Sequence, residues 1–344
     1  MNKTMSRIAF CACFMTLLFQ ASAISSKNFH KRFLSGPGQT LTFTGERCHL
    51  CLSGAESAEI RIEGECGKDI EKHYDLSFEQ SGGNLEIRVE AKQEKITRTI
   101  LFGLIKVRDE AGLDLNPGQY LNLTVSVPDS TNLCITGRRG DVQVREIKGE
   151  VAIHNSRGEV VCERITGPLN VSNSRGETRL ESIEGRFTVE SSRGPVLVSH
   201  ASPGGSISNS RGDIAVKSVT GALEACGTRG NITVSGLEGS IRAEGSRCNI
   251  AVELIRPPAQ ECEVNNTRGD ITLSLPRESG AWIEAHASRG EVQTGLPLLV
   301  QGSVSSGNAL EGKLGEGGPR LSLQTTRGNI RIAPLNGQIS DVRE

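Results

Sequence analysis

The stretch Asn155-Ser156-Arg157-Gly158-Glu159-Val160 returns eighteen residues later as Asn173-Ser174-Arg175-Gly176-Glu177-Thr178, and again at Asn209-Ser210-Arg211-Gly212-Asp213-Ile214. Working outward from it, the Arg of this unit stands at Arg139, Arg157, Arg175, Arg193, Arg211, Arg229 and Arg247, always at the same step. At Arg247, Cys248 replaces the Gly, and the interval then lengthens to 21 residues at Arg268 and again at Arg289. Ser306-Gly307 reads as a degenerate copy, and Arg327-Gly328 closes the series. Self-similarity at a fixed short period is the signature of a solenoid.

Counted from each Arg, position +3 holds Val142, Val160, Thr178, Val196, Ile214, Ile232 and Ile250, and position +5 holds Val144, Cys162, Leu180, Val198, Val216, Val234 and Val252. Position +8 runs from Ile147 to Ile255, position +12 from Val151 to Ala259, and position +14 begins Ile153, Val171, Val189 and Ile207. Apolar residues two apart with polar ones between them have the period of a half-buried strand. Each unit therefore holds at least two short strands. Gly recurs at +1 and at +10 (Gly149, Gly167, Gly185, Gly221 and Gly239), which marks corners where the chain bends tightly. At +16, Asn155, Asn173, Ser191 and Asn209 either satisfy backbone groups at the next corner or simply form the turn. The reading is all-β: a single-stranded parallel β-solenoid with about 18 residues per coil, its rungs stacked about 4.8 Å apart.

Around this core, residues 133–334 are assigned to the repeats, with Leu321 to Ile332 as the last coil. Residues 36–132 alternate irregularly, at Glu59 to Glu63, Asp75 to Glu79, Asn84 to Glu90 and Tyr120 to Val127, and are read as a β-rich N-terminal cap. Residues 24–35 are expected to be a flexible arm and residues 335–344 a tail. Residues 1–23 carry Lys3 and Arg7 before the apolar run Ile8 to Phe19 and then Ala21-Ser22-Ala23, the pattern of a cleaved signal peptide. Export to the periplasm, cell surface or medium is the expectation, with an organelle transit peptide as the competing reading. The run is too short to span a bilayer, so no membrane span is expected.

Composition narrows the function. With 39 Lys+Arg against 40 Asp+Glu the net charge is -1, which names no nucleic-acid partner. Aromatic residues are only 3% of the chain, which argues against ring-lined sugar clefts, base-stacking platforms and large cofactor pockets. No cofactor is expected. Eight Cys follow the leader, and Cys48-His49-Leu50-Cys51 with Cys66 and His73 lacks the second half of a paired-Cys zinc site. A local disulfide and buried thiols both remain open. His154, His200 and His286 are isolated, so no catalytic constellation can be assembled.

Several pieces together resemble the putative adhesins, a family of bacterial proteins carrying a domain of unknown function with Gly-Asp-Ile-like repeats. They are Val125-Ser126-Val127-Pro128 leading to Gly140-Asp141-Val142, then Gly212-Asp213-Ile214, Gly269-Asp270-Ile271, and Gly317-Gly318 followed by Thr325-Thr326-Arg327-Gly328-Asn329-Ile330. The resemblance spans residues 36 to 334 and implies a parallel β-solenoid without a catalytic motif. This chain departs from the family by placing Arg before nearly every Gly.

The Arg column, Arg139 through Arg247, is thus the candidate binding site. Neighbours about 5 Å apart would repel by about 1 kcal/mol per pair in water before screening. Asp141, Glu159, Glu177, Asp213, Asp270 and Glu291 at +2 could form a salt-bridge ladder with them, or the guanidinium forks could bind a linear polyanion. Three Arg-Gly-Asp triplets, at Arg139, Arg211 and Arg268, fall in register with the repeat and read as members of it. The function expected is an exported, non-catalytic structural or adhesin-like envelope element, partnered by envelope polysaccharide or another surface protein. The alternative is a polyanion-binding module or polysaccharide-active enzyme using the Arg column.

Overall fold

Alternating side chains in the repeat demand a shared interior, and two long sheets facing each other supply it. The computed structural model describes residues 27–36, 38–67, 69–92, 96–100, 105–109, 120–300 and 307–335. The expected leader, residues 1–23, lies outside the described residues, as do 24–26 and 336–344. The fold is all-β with long parallel sheets, consistent with a solenoid. In the first sheet, Val142–Ile147, Val160–Ile165 and Thr178–Ile183 are successive parallel neighbours, Val142 opposite Val160 and Val160 opposite Thr178. In the second, Val151–Asn155, Leu169–Asn173 and Phe187–Ser191 are stacked in the same way. Residues at equal positions of successive repeats are thus vertical neighbours through Ile250, and the +3 and +5 columns are buried throughout.

Position +8 is three residues beyond +5 and would face solvent in an unbroken strand. It does not, because +7 is left-handed: Glu146, Arg164, Ser182, His200 and Ser218 have φ between 53° and 59°. The bend reverses the alternation and sends Ile147, Ile165 and Ile183 inward. Each such residue costs about 1–3 kcal/mol, which burying an Ile, worth about 1.5–3 kcal/mol, offsets. In the coil Ile250–Leu254 the register shifts, so Leu254 lies opposite Leu237 and is buried. The expected member of this column, Ile255, is instead 40% exposed. Ala259 is likewise exposed, and Cys262 is buried in its place as the first residue of the next strand, the three extra residues being spent on the corner between them.

At both ends rung order departs from chain order. Thr40–Gly45 lies between Asn132–Gly137 and Asn84–Ala91, and Cys48–Ala55 lies between Val142–Ile147 and Leu121–Pro128, all parallel. The stretch read as an irregular cap therefore contributes two rungs, and Leu41, Phe43, Leu50 and Leu52 continue the buried columns. Outside them, Glu59–Glu65, Asn28–Leu34 and Tyr74–Ser81 add antiparallel edges. Part of the expected arm is thus a strand, because Phe29 and Phe33 pack on Phe78 at ring distances of 5.9 and 6.0 Å. At the other end Arg320–Arg327 sits between Cys262–Arg268 and Ala281–Ala287, and Ile330–Pro334 between Ile271–Leu275 and Val292–Thr294. The coil expected to be last is next to last. Gly307 leads not into a rung of the repeat but into Ala309–Leu314, which runs antiparallel to Ala281–Ala287. Among the described residues no helix is long and apolar enough to cross a membrane.

Candidate functional site: the arginine column

The backbone of the Arg-Gly corner is fixed by a ladder of its own. The N–H of Gly158 donates to the carbonyl of Arg175 (2.9 Å), Gly176 to Arg193 (3.0 Å), Gly194 to Arg211 (3.0 Å) and Gly212 to Arg229 (2.9 Å). This stacking needs glycine. A Cβ on Gly176, whose φ is 128°, would sit 2.0 Å from the carbonyl oxygen of Gly158. The same carbonyl accepts from the buried Asn173 Nδ2 at 3.2 Å, as Gly140 does from Asn155 and Gly194 from Asn209. All three side chains satisfy corner backbone groups, and Asn209 also forms its own turn, its Oδ1 accepting from the N–H of Arg211 at 3.2 Å.

The Asp and Asn members of the +2 column are also committed to the wall. Asp141 Oδ1 accepts from the N–H of Glu159 and Asp213 Oδ1 from that of Asn231, both at 2.8 Å. Asn231, Asn249, Asp270 and Asn329 hand the pattern on from rung to rung. At the N-terminal end His49 Nδ1 takes the same place, accepting from the N–H of Asp141 at 3.1 Å. The Asp of each Arg-Gly-Asp triplet is therefore a ladder acceptor, consistent with its repeat register.

The expected salt-bridge ladder does not form. Among the described residues none of Arg139, Arg157, Arg175, Arg193, Arg211, Arg229 and Arg247 lies within ion-pair distance of a carboxylate. The carboxylates of Asp141 and Asp213 turn to backbone N–H groups, and Glu177 pairs with Arg179. Ion pairs between coils stand at other columns, Arg145 with Glu163 at 3.1 Å and Arg164 with Glu146 at 2.8 Å. Six of the seven side chains are exposed and Arg139 is half-buried.

The column continues past Arg247 in an order that differs from the chain's. Arg327 is the register partner of Arg268, and the N–H of Gly328 points to the carbonyl of Arg289 at 3.4 Å. Arg268, Arg327 and Arg289 thus continue the column, all exposed. Sequence order puts Arg289 directly after Arg268. The threaded strand Arg320–Arg327 supplies the rung between them. At the other end Arg47 holds the equivalent place, since the N–H of Cys48 donates to the carbonyl of Arg139, but it is buried beneath the cap, where the Tyr74 hydroxyl donates to its carbonyl.

Other candidate chemistry is not brought together. The eight described Cys are free thiols, and burial pushes Cys48 far up and Cys162 up to about 12. The described residues hold no group of three or more His, Cys, Asp or Glu placed to bind a metal ion. His154 and His200 are exposed, and His286 meets only Ser288 Oγ at 3.4 Å. An open groove of about 360 Å³ lies on the second sheet, where Gly205 stands above Phe187; Arg186, Glu224 and Arg242 line it.

No curated protein matches the chain. Among solved structures, it is similar to one described as a putative lipid binding protein from Parabacteroides distasonis, at 11% identity and a TM-score of 0.39, covering 90% of this chain and 97% of that one. One described as a putative adhesin from Bacteroides fragilis matches at 10% identity and a TM-score of 0.30, over 91% and 99% of the two chains. One described as a putative cell adhesion protein from Clostridium sporogenes matches at 11% identity and a TM-score of 0.21, over 90% and 100%. Residues 50–333, which take in most of the interleaved strand Cys48–Ala55, the regular coils and nearly all of the threaded C-terminal rung, match the family described as Toastrack DUF4097, and this chain belongs to that family.

Proposed function

We propose that this chain is an exported, non-catalytic element of the bacterial cell envelope, wound as a single parallel β-solenoid of about 18 residues per coil and used as a structural or adhesin-like scaffold. The observation that supports this reading is how the repeat spends its polar groups. Corner glycines let the rungs stack and Asn155, Asn173, Asn209, Asp141 and Asp213 bond to the backbone of neighbouring rungs, while among the described residues the outward Arg column has no carboxylate partner. Such a surface is rigid, extended and repetitive, which suits multivalent attachment rather than the enclosed, water-excluding geometry of catalysis. A second reading, a polyanion- or polysaccharide-binding module, is favoured by the exposure of that same column.

Subcellular fractionation combined with surface-protease digestion tests the proposal. The chain is expected in the envelope or medium and, if surface-borne, to be cut by added protease; retention in the cytosol would overturn it. Incubation with a polysaccharide panel is expected to yield no hydrolysis or elimination product, and turnover of any member would remove the non-catalytic reading.

A further inference from the structure

The column Arg residues are held through their backbones, by main-chain bonds between rungs and, at Arg211, by the Asn209 side chain, whose Oδ1 accepts from the Arg211 N–H at 3.2 Å. The carbonyl accepts from a corner N–H of the rung before, from glycine at most rungs and from Cys48 and Cys248 at Arg139 and Arg268, an interaction any residue could make, and among the described residues the guanidinium has no carboxylate partner. From Arg139 through Arg247 to Arg268, Arg327 and Arg289 the column has ten rungs, so nine steps of about 4.8 Å give a strip of roughly 43 Å. Cations stacked at that spacing repel one another, and a wall that gains nothing from them in return points to an anion supplied from outside.

The acids beside the strip are unevenly spread. Asp141, Glu159 and Glu177 flank the first three rungs, but Pro195, Asn231 and Asn249 flank Arg193, Arg229 and Arg247. The one acid at +2 in that stretch, Asp213, is turned to the N–H of Asn231. The rungs from Arg193 to Arg247 therefore form the most positive part. Each also carries a hydroxyl immediately before its Arg, Ser192, Ser210, Thr228 and Ser246.

Resting on the scaffold reading above, we infer that this arginine and hydroxyl column is the binding strip for an extended anionic polysaccharide, a polyuronate laid along the stack with its carboxylates in the guanidinium forks. Guanidinium binds carboxylate bidentately, and the hydroxyls can both donate to and accept from sugar hydroxyls. An extended chain of uronic acids spaces its sugars on the scale of the rungs. A nucleic acid fits less well. Phe187 is the one Phe, Tyr or Trp between Gly137 and Ile255, and it is buried, so the regular rungs offer no ring on which bases could stack.

The test uses the full chain and oligogalacturonates of increasing length, with neutral dextran and single-stranded DNA as comparisons. Affinity is expected to rise with oligomer length until the strip is covered and then to level off. The variant Arg193→Gln, Arg211→Gln, Arg229→Gln, Arg247→Gln is expected to bind roughly thirtyfold more weakly, as four exposed ion pairs of ordinary strength multiply to that order. Changing Arg139, Arg157 and Arg175 to Gln should cost less, since acids flank those rungs. The paired Arg145 and Arg164, changed to Gln, should leave binding unaltered. Undiminished binding by the fourfold variant overturns the inference, as does tighter binding of single-stranded DNA of equal charge. Should that variant fail to fold, the unaltered protein decides: affinity must fall as salt rises, and salt-independent binding overturns the inference. A surface-located chain that ignores oligogalacturonate defeats this inference alone, whereas a cytosolic chain defeats the scaffold reading whatever it binds.

Discussion

Between Val142 and Leu254 each rung lies on the one just before it in the chain, whereas at both ends a terminal segment is slipped between rungs that lie nearer the middle of the sequence. The middle is quasi-one-dimensional: every contact of a coil is with its immediate neighbours. The ends are stitched by contacts across long sequence separations, Leu41 opposite Leu133 and Cys262 opposite Leu321. A stack whose outermost rung was also its chain terminus could peel one strand at a time. Here Arg320–Pro334 is hydrogen-bonded on both sides in both sheets, so it cannot leave without breaking two interfaces. The antiparallel strands Tyr74–Ser81 and Leu298–Val300 then cover the sheet edges that a bare solenoid would offer to other chains.

The largest effect should come from ending the chain before Arg320. Hydrogen exchange is expected to show protection lost from Cys262 to Thr294 while Val142 to Val219 stays protected. Uniform loss would mean that the middle depends on the closure, and no loss would mean that the stitch is idle. Next comes Gly194→Ala, whose Cβ would lie 2.1 Å from the Gly176 carbonyl oxygen at a φ of 125°. A loss above about 3 kcal/mol is expected by denaturant titration. Gly307→Ala, with nothing within 4 Å of the added Cβ, should stay within about 0.5 kcal/mol. The smallest difference separates Asn173→Ala from Thr325→Ala. Asn173 Nδ2 serves the carbonyls of Gly158, Gly176 and Glu177, and its loss should cost about 1–3 kcal/mol. The Thr325 hydroxyl makes one bond, to the Gly269 carbonyl, and its loss should cost about 1 kcal/mol. Equal costs would show that corner bonding does not scale with the number of carbonyls served.

Much of the middle was legible because a repeat converts sequence spacing into spatial adjacency. Val142, Val160 and Thr178 read as a column before any coordinates, and they are one. What failed were places where a local backbone choice changed phase. Ile255 sits at the expected spacing, but its coil lacks the left-handed residue that turns +8 inward, and Leu254 is used instead. The left-handed column itself, from Glu146 to Ser218, had only a weak sequence signal, a polar residue before each inward +8. The arginine column was visible as spacing, yet its partners were misjudged. The acids two residues on stand close enough in sequence to suggest ion pairs, but the carboxylates of Asp141, Asp213 and Asp270 are drawn to backbone N–H groups of the next rung and Glu177 turns to Arg179.

The amino-acid order by itself determined the strands, the inward and outward faces and the column of arginines, because these depend on contacts one period apart. Only the tertiary structure decided that Arg327 stands between Arg268 and Arg289, that Arg47 is withdrawn beneath Tyr74, and that the column carries no ladder of ion pairs. Those outcomes turn on which distant strand completes a sheet edge and on which group reaches a carboxylate first. Competitions of that kind are settled by the folded backbone, which no fixed spacing encodes.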